Sequence, residues 1–107
     1  MSIVTFRQYY LDENRQRRGL ILGEVDPQTK KIRIGWSYRS RRDRRSNPEL
    51  GEKIAKNRLA ACREIQNGIA EYVQTETNMP QNLKDFASQT IQNRILRILN
   101  PRPKGYN

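Results

Sequence analysis

The segment spanning residues 20–39 constrains the fold more than any other. An apolar run over residues 20–25 meets Asp26-Pro27-Gln28-Thr29-Lys30, and an alternating run returns through Ile32, Ile34, Trp36 and Tyr38. Pro27 presets the φ of the second turn residue and Asp26 can accept hydrogen bonds from the turn backbone, so the spacing predicts an antiparallel hairpin. On the returning strand Ile32, Ile34, Trp36 and Tyr38 share one face. Lys31, Arg33, Ser37 and Arg39 share the other, with Gly35 interrupting that row. The Trp36 face needs an apolar cover, so Trp36 is expected in the core.

Residues 2–11 are rich in β-branched and aromatic types and predict a further strand. Residues 12–18, polar and charged, read as a loop ending at Gly19. After the arginine-rich stretch, Ser46 or Asn47 can cap a helix, Pro48 suits its first position and Glu49 complements the positive end of its dipole. At about 100° per residue, Leu50, Ile54, Ala61, Ile65, Ile69 and Tyr72 fall on one stripe, predicting a helix over 48–73. Gly68 is a point where it could bend or end. Asn82 and Asp85 have capping-box-like spacing, and Leu83, Phe86, Ala87, Ile91, Ile95 and Ile98 predict a second helix over 81–99, stopped by Asn100-Pro101. The expected fold is α+β: a single domain over 1–100, built as a three-stranded antiparallel meander followed by two helices packed on one face (βββαα). Residues 101–107 form a short basic tail.

With 107 residues the chain supports one modest core rather than a deep enclosed cavity. It has no histidine and a single cysteine, Cys62, which removes imidazole bases, Ser-His and Cys-His pairs, thiolate cages and an intramolecular disulfide. No secretory leader is legible at the start, and the longest apolar runs fall far short of the roughly 18 residues of a spanning helix. The expected setting is cytoplasmic, with no membrane partner and no cofactor.

Lys and Arg number 21 against 11 Asp and Glu, a net charge of +10, which attracts polyanions. The balance is uneven: residues 1–47 hold 12 basic and 5 acidic residues, residues 48–107 hold 9 and 6. The strongest signal is Arg39-Ser40-Arg41-Arg42-Asp43-Arg44-Arg45, five arginines in seven positions between a strand end and a helix start. Guanidinium groups fork onto phosphate oxygens and stack on bases, whereas lysine supplies a point charge. A second cluster, Arg15-Gln16-Arg17-Arg18, lies in the first interstrand segment, and a meander brings it to the same end of the sheet. Lys31 and Arg33 extend the expected phosphate-tracking surface along the third strand. Tyr9, Tyr10 and Tyr38 on or beside these strands can stack on unpaired bases.

Other residues support weaker readings. Arg58 and Arg94 project onto the apolar stripes and read as snorkelling side chains. Leu59 and Leu96 project away from them and leave room for a homodimer. Glu24, Asp26 and Asp43 near Lys30, Lys31 and Arg33 match no defensible metal-nuclease spacing, and Cys62 reads as a small apolar residue. The stretch Gly35-Trp36-Ser37, then Asp43, Gly51-Glu52-Lys53-Ile54-Ala55 and Arg58, resembles a pattern in small uncharacterised proteins of phage-type genomes, over about a quarter of the chain. That resemblance implies action in a bacterial cytoplasm, on nucleic acid or on a host protein.

The expected function is non-enzymatic binding of DNA or RNA through an arginine-rich sheet rim and loop, with Arg15, Arg17, Arg18, Lys31, Arg33, Arg39, Arg41, Arg42, Arg44 and Arg45 contacting phosphates. The alternative is a protein–protein adaptor or inhibitor that docks its basic face on an acidic host partner.

Overall fold

A computed structural model describes residues 2–39 and 48–101. Four strands form one antiparallel sheet in the order β1-β2-β3-β4: β1 Val4–Leu11, β2 Arg17–Asp26, β3 Lys31–Tyr38 and a short β4 Ile65–Gln66. The hairpin between β2 and β3 is as the turn chemistry predicts. Asp26 accepts from the amides of Gln28 at 2.9 Å and Thr29 at 3.4 Å, and the Lys30 amide closes the turn on the Asp26 carbonyl at 2.9 Å. The loop before β2 is shorter than expected, so Arg17, Arg18 and Gly19 belong to the strand.

The helices do not share one face of the sheet. Alternation along β2 sends Leu20 and Leu22 to one side and Ile21 and Val25 to the other. Helix α1, Pro48–Ala61, lies on the first side, where Leu20, Leu22 and Ala55 are buried together with Leu59 packed against them. Helices α2, Ala70–Thr75, α3, Gln81–Phe86, and α4, Gln92–Leu99, cover the other side. There Ile21, Val25, Ile32, Ile34 and Trp36 meet Ile69, Val73, Leu83, Ile91 and Ile95 in the main core. The sheet is thus the middle of three layers. The expected packing on one face is corrected by the small residues of the supposedly polar row: Gly35 gives α1 room to approach, and Ser37 is buried.

Helix layers on both sides require the chain to pass around a sheet edge, and this is why the expected helix over 48–73 is broken. Cys62 turns back on the Leu59 carbonyl at 3.2 Å, ending α1. The chain then runs along the edge of β3, where β4 pairs Ile65 with Ile32 and Gln66 with Lys31. Asn67 takes a left-handed conformation at φ 70, and Gly68 follows, leaving the space that a Cβ would occupy to the Gln92 amide. Gln92 uses it to accept from the Ile69 amide at 2.6 Å. Ala61, Ile65 and Ile69 have helical spacing but serve a helix end, a strand and a turn. Ala61 and Leu50 are exposed, and the apolar side chains that α1 buries are Ala55 and, in part, Ile54 and Leu59.

The expected helix over 81–99 is continuous but not uniform. Between α3 and α4 a π-helical turn spans Ala87–Ile91. The buried residues Leu83, Ala87, Ile91, Ile95 and Leu99 recur every fourth position. In an ideal α-helix four such steps rotate the row by about 160° around the axis. The wider π turn takes back part of that rotation and keeps the row on the sheet. Asn82 does not cap this helix; Pro80 occupies the cap position, and Asn82 instead donates to the Tyr38 hydroxyl at 2.8 Å.

Both arginines expected on apolar stripes carry cation–π contacts. Arg58 reaches past the open edge of β3, with its guanidinium carbon 3.7 Å from the centre of the Trp36 ring, and donates to the Trp36 carbonyl at 2.9 Å. Arg94 sits 4.8 Å over Phe6 and donates to Gln8 at 2.9 Å. Replacing Arg58 with Met keeps the stem but removes the donor, leaving the Trp36 carbonyl without that partner. The expected result is a loss of about 1–2 kcal/mol of stability by denaturant titration. An unchanged midpoint would show that the contact contributes nothing.

Candidate nucleic-acid interface

The two arginine-bearing segments meet at one end of the sheet. The Arg39 amide, just past β3, donates to the Arg18 carbonyl at 2.8 Å, one step beyond the paired Gly19 and Tyr38. Arg15 lies in the adjoining loop and Arg17 at the start of β2, both exposed. Helix α1 begins at the same end: a Cβ on Gly51 would lie 3.4 Å from the Ser37 hydroxyl. Arg41, Arg42, Arg44 and Arg45 lie outside the described residues, as do Asp43, Ser46, Asn47 and the tail after Pro101. Their flanking residues, Arg39 and Pro48, are both at this rim.

One carboxylate organises the rim. Asp12 accepts from the amides of Asn14 at 2.8 Å and Gln16 at 2.9 Å, and its second oxygen accepts from the Arg18 Nε at 2.8 Å. Arg15 accordingly takes a left-handed conformation at φ 60, with its amide on the Asp12 carbonyl at 2.9 Å. The Gln16 amide first, and then the Arg18 guanidinium, hold the Asp12 carboxyl below its ordinary value of 3.8. A depressed carboxyl pKa stabilises the folded loop above the unfolded value, and that contribution is lost as pH falls through the folded one. In a titration followed by NMR, the Asn14 and Gln16 amide shifts are therefore expected to move with a midpoint below 3.8. Asp12→Asn is expected to abolish the movement, and a midpoint at or above the ordinary value counts against this loop geometry.

Between Tyr10 and Leu11 the β1–β2 register shifts, so that Tyr10 faces Gly19 and Leu11 faces Arg17, leaving Arg18 as the extra residue. This bulge re-aims Arg17 to the face of Tyr9. The Arg17 guanidinium carbon sits 4.1 Å from the Tyr9 ring centre. Arg7, two residues along the same face, donates to the Tyr9 hydroxyl at 3.4 Å and pairs with Glu52 of α1. Tyr9 itself packs against the smaller cluster of Leu20, Leu22 and Ala55, and the other two tyrosines pack against the main core, Tyr10 making an edge contact with Phe86 at 5.2 Å and lying 6.4 Å from Tyr38.

Lys31 and Arg33 are not brought to this rim. Seven residue steps of β3, about 23 Å at strand rise, separate Lys31 from Tyr38. Lys31 pairs with Glu64 at 2.9 Å, and Arg33 faces Glu24 at 3.9 Å and donates to the Ala60 carbonyl at 2.9 Å. That end of the sheet is mixed in charge, whereas the rim carries Arg15, Arg17, Arg18 and Arg39 near the Asp12–Arg18 pair. Arg7 and the Tyr9–Arg17 contact were not singled out by the sequence. Their alternation along β1 was visible, but the register that joins them depends on the bulge.

No helix among the described residues is long and apolar enough to cross a membrane. No family model, curated protein or solved structure matches this chain.

Proposed function

We propose that this protein is a non-enzymatic nucleic-acid-binding domain that tracks phosphates with the arginine rim formed by the β1–β2 loop, the start of β2 and the chain leaving β3. The observation that carries the reading is the Arg39–Arg18 backbone contact, which places two arginine-bearing segments side by side. Arg15, Arg17 and Arg39 are the described contact residues, and Arg18 positions the loop through Asp12. Arg41, Arg42, Arg44 and Arg45 join them as sequence neighbours of Arg39. Guanidinium groups such as those of the exposed Arg15 and Arg17 suit phosphates, since each phosphate neutralised releases condensed counterions.

Fluorescence anisotropy of labelled oligonucleotides at several salt concentrations tests this. If about six phosphates are neutralised, the log–log salt slope is roughly −5 on duplex DNA and roughly −4 on a single strand. A flat salt response, or no binding at moderate salt, rejects the reading and favours a basic surface that docks on an acidic protein.

A further inference from the structure

We propose that the Arg17 guanidinium, seated over Tyr9, is a stacking platform for an unpaired nucleobase, and that the ligand class of the rim is single-stranded nucleic acid; this rests on the nucleic-acid reading above. Three features of the fold converge on it. The bulge at Arg18 puts Arg17 on the Tyr9 face, which regular pairing would not do. Helix α1 packs over β2 and β3, and Tyr9 packs from β1 against the Leu20, Leu22 and Ala55 cluster under that helix, which holds the ring that supports Arg17. Arg17 is exposed while Tyr9 is half-buried, so the guanidinium is the outer layer of the stack and the ring its support.

An exposed arginine ordinarily samples many rotamers. One held over an aromatic ring has already lost much of that freedom, so less is lost when a base lands on it. Arg15 and Arg39 flank the platform as phosphate partners. The geometry also chooses among nucleic acids. A paired base has both faces against its neighbours in the helix and offers only its edges, whereas an unpaired base offers a free face. The sequence raised Tyr9, Tyr10 and Tyr38 equally as stacking candidates. All three pack against core residues, Tyr10 and Tyr38 on the main cluster and Tyr9 on the smaller one, and Tyr9 is the one that carries an exposed arginine over its ring.

The test compares the unaltered protein with Arg17→Lys, which keeps the charge and loses the planar group. Each binds three probes: a single strand carrying 2-aminopurine, the same strand with an abasic site in its place, and the duplex. The unaltered protein is expected to quench 2-aminopurine. Arg17→Lys is expected to lose the quenching and to bind the single strand about tenfold more weakly. Because lysine keeps a charge for the phosphate but not the planar group, the loss of affinity for the abasic strand and the duplex is expected to be several-fold smaller than the loss for the single strand, and that difference between probes is the readout. Tyr9→Phe, which keeps the ring, is expected to retain the quenching. Equal loss on all three probes, or no loss on any, overturns the platform and leaves salt-sensitive binding by the rim standing. Absence of salt-sensitive binding by the unaltered protein overturns both.

Discussion

Gly35→Ala is expected to destabilise the protein by about 3 kcal/mol, lowering the thermal midpoint by roughly 15 °C. Gly35 lies in the middle of β3, directly under α1. A Cβ there would overlap the Ala55 carbonyl and lie 2.5 Å from the Leu59 amide nitrogen and 2.7 Å from its Cβ. The first two obstacles are backbone atoms of a helix, which do not yield one at a time, so α1 as a whole would have to rise off Leu20 and Leu22. Gly23→Ala makes the informative comparison. Its Cβ would overlap the ring of Phe6, a side chain on the edge strand β1. That ring can turn aside, and a loss of about 1–2 kcal/mol is expected. Thermal unfolding of both variants decides the matter, and a Gly35→Ala protein as stable as Gly23→Ala would rule out so close an approach of α1.

The same glycine shows how much of the fold was legible. Alternation along β3 and the turn chemistry of Asp26-Pro27 were enough for the hairpin, and the helical spacing of Leu83, Phe86, Ala87, Ile91, Ile95 and Ile98 was enough for the last helix. The gap at Gly35 in the charged row was also visible. Its meaning was not, because Lys31, Arg33 and Arg39 made the row look solvated. The middle of that face, at Gly35 and Ser37, lies under α1, Arg33 reaches the last turn of that helix through the Ala60 carbonyl, and Lys31 beyond it is exposed. A strand covered on both sides need not be apolar on both when one cover rests on glycine and alanine. Once α1 occupies the second face, the crossing at residues 62–69 and the two-residue β4 follow from the need to pass the edge of β3. Helical spacing of Ala61, Ile65 and Ile69 concealed that crossing, since periodicity records spacing and not which side of a sheet each residue reaches.

The candidate site divides similarly. Arginine density marked the two segments, and a meander places a β1–β2 loop and a β3 end at the same rim whatever its details. Which cations remain available depends on acidic partners in the same loop or on the neighbouring strand or edge segment. Glu24 and Glu64 engage Arg33 and Lys31, and Asp12 engages Arg18. Pairs of this kind arise from register and from a crossing that the sequence did not reveal. The bulge that aims Arg17 at Tyr9 is likewise a one-residue event in pairing, with no signature in composition.

Removing the four arginines that follow Arg39 in the sequence is expected to abolish most binding, while removing two cations at the far end of β3 is expected to change little. With Arg41, Arg42, Arg44 and Arg45 changed to Ala, four phosphate contacts are lost if each makes one. Counterion release then costs about 0.7–0.9 log units per contact near 0.1 M salt relative to 1 M, so affinity falls about a thousandfold and the salt slope becomes shallower by roughly 3. Lys31→Ala with Arg33→Ala removes half as much charge, but from side chains already opposed by Glu64 and Glu24. That end lies about 23 Å from the rim, beyond the screening length of about 10 Å at this salt, so affinity should stay within about threefold and the slope should not change. The two variants differ in charge by a factor of two and in expected effect by more than a hundredfold, which separates a located site from general attraction to a basic protein. Losses in proportion to the charge removed would mean that the whole surface binds and the rim has no special place.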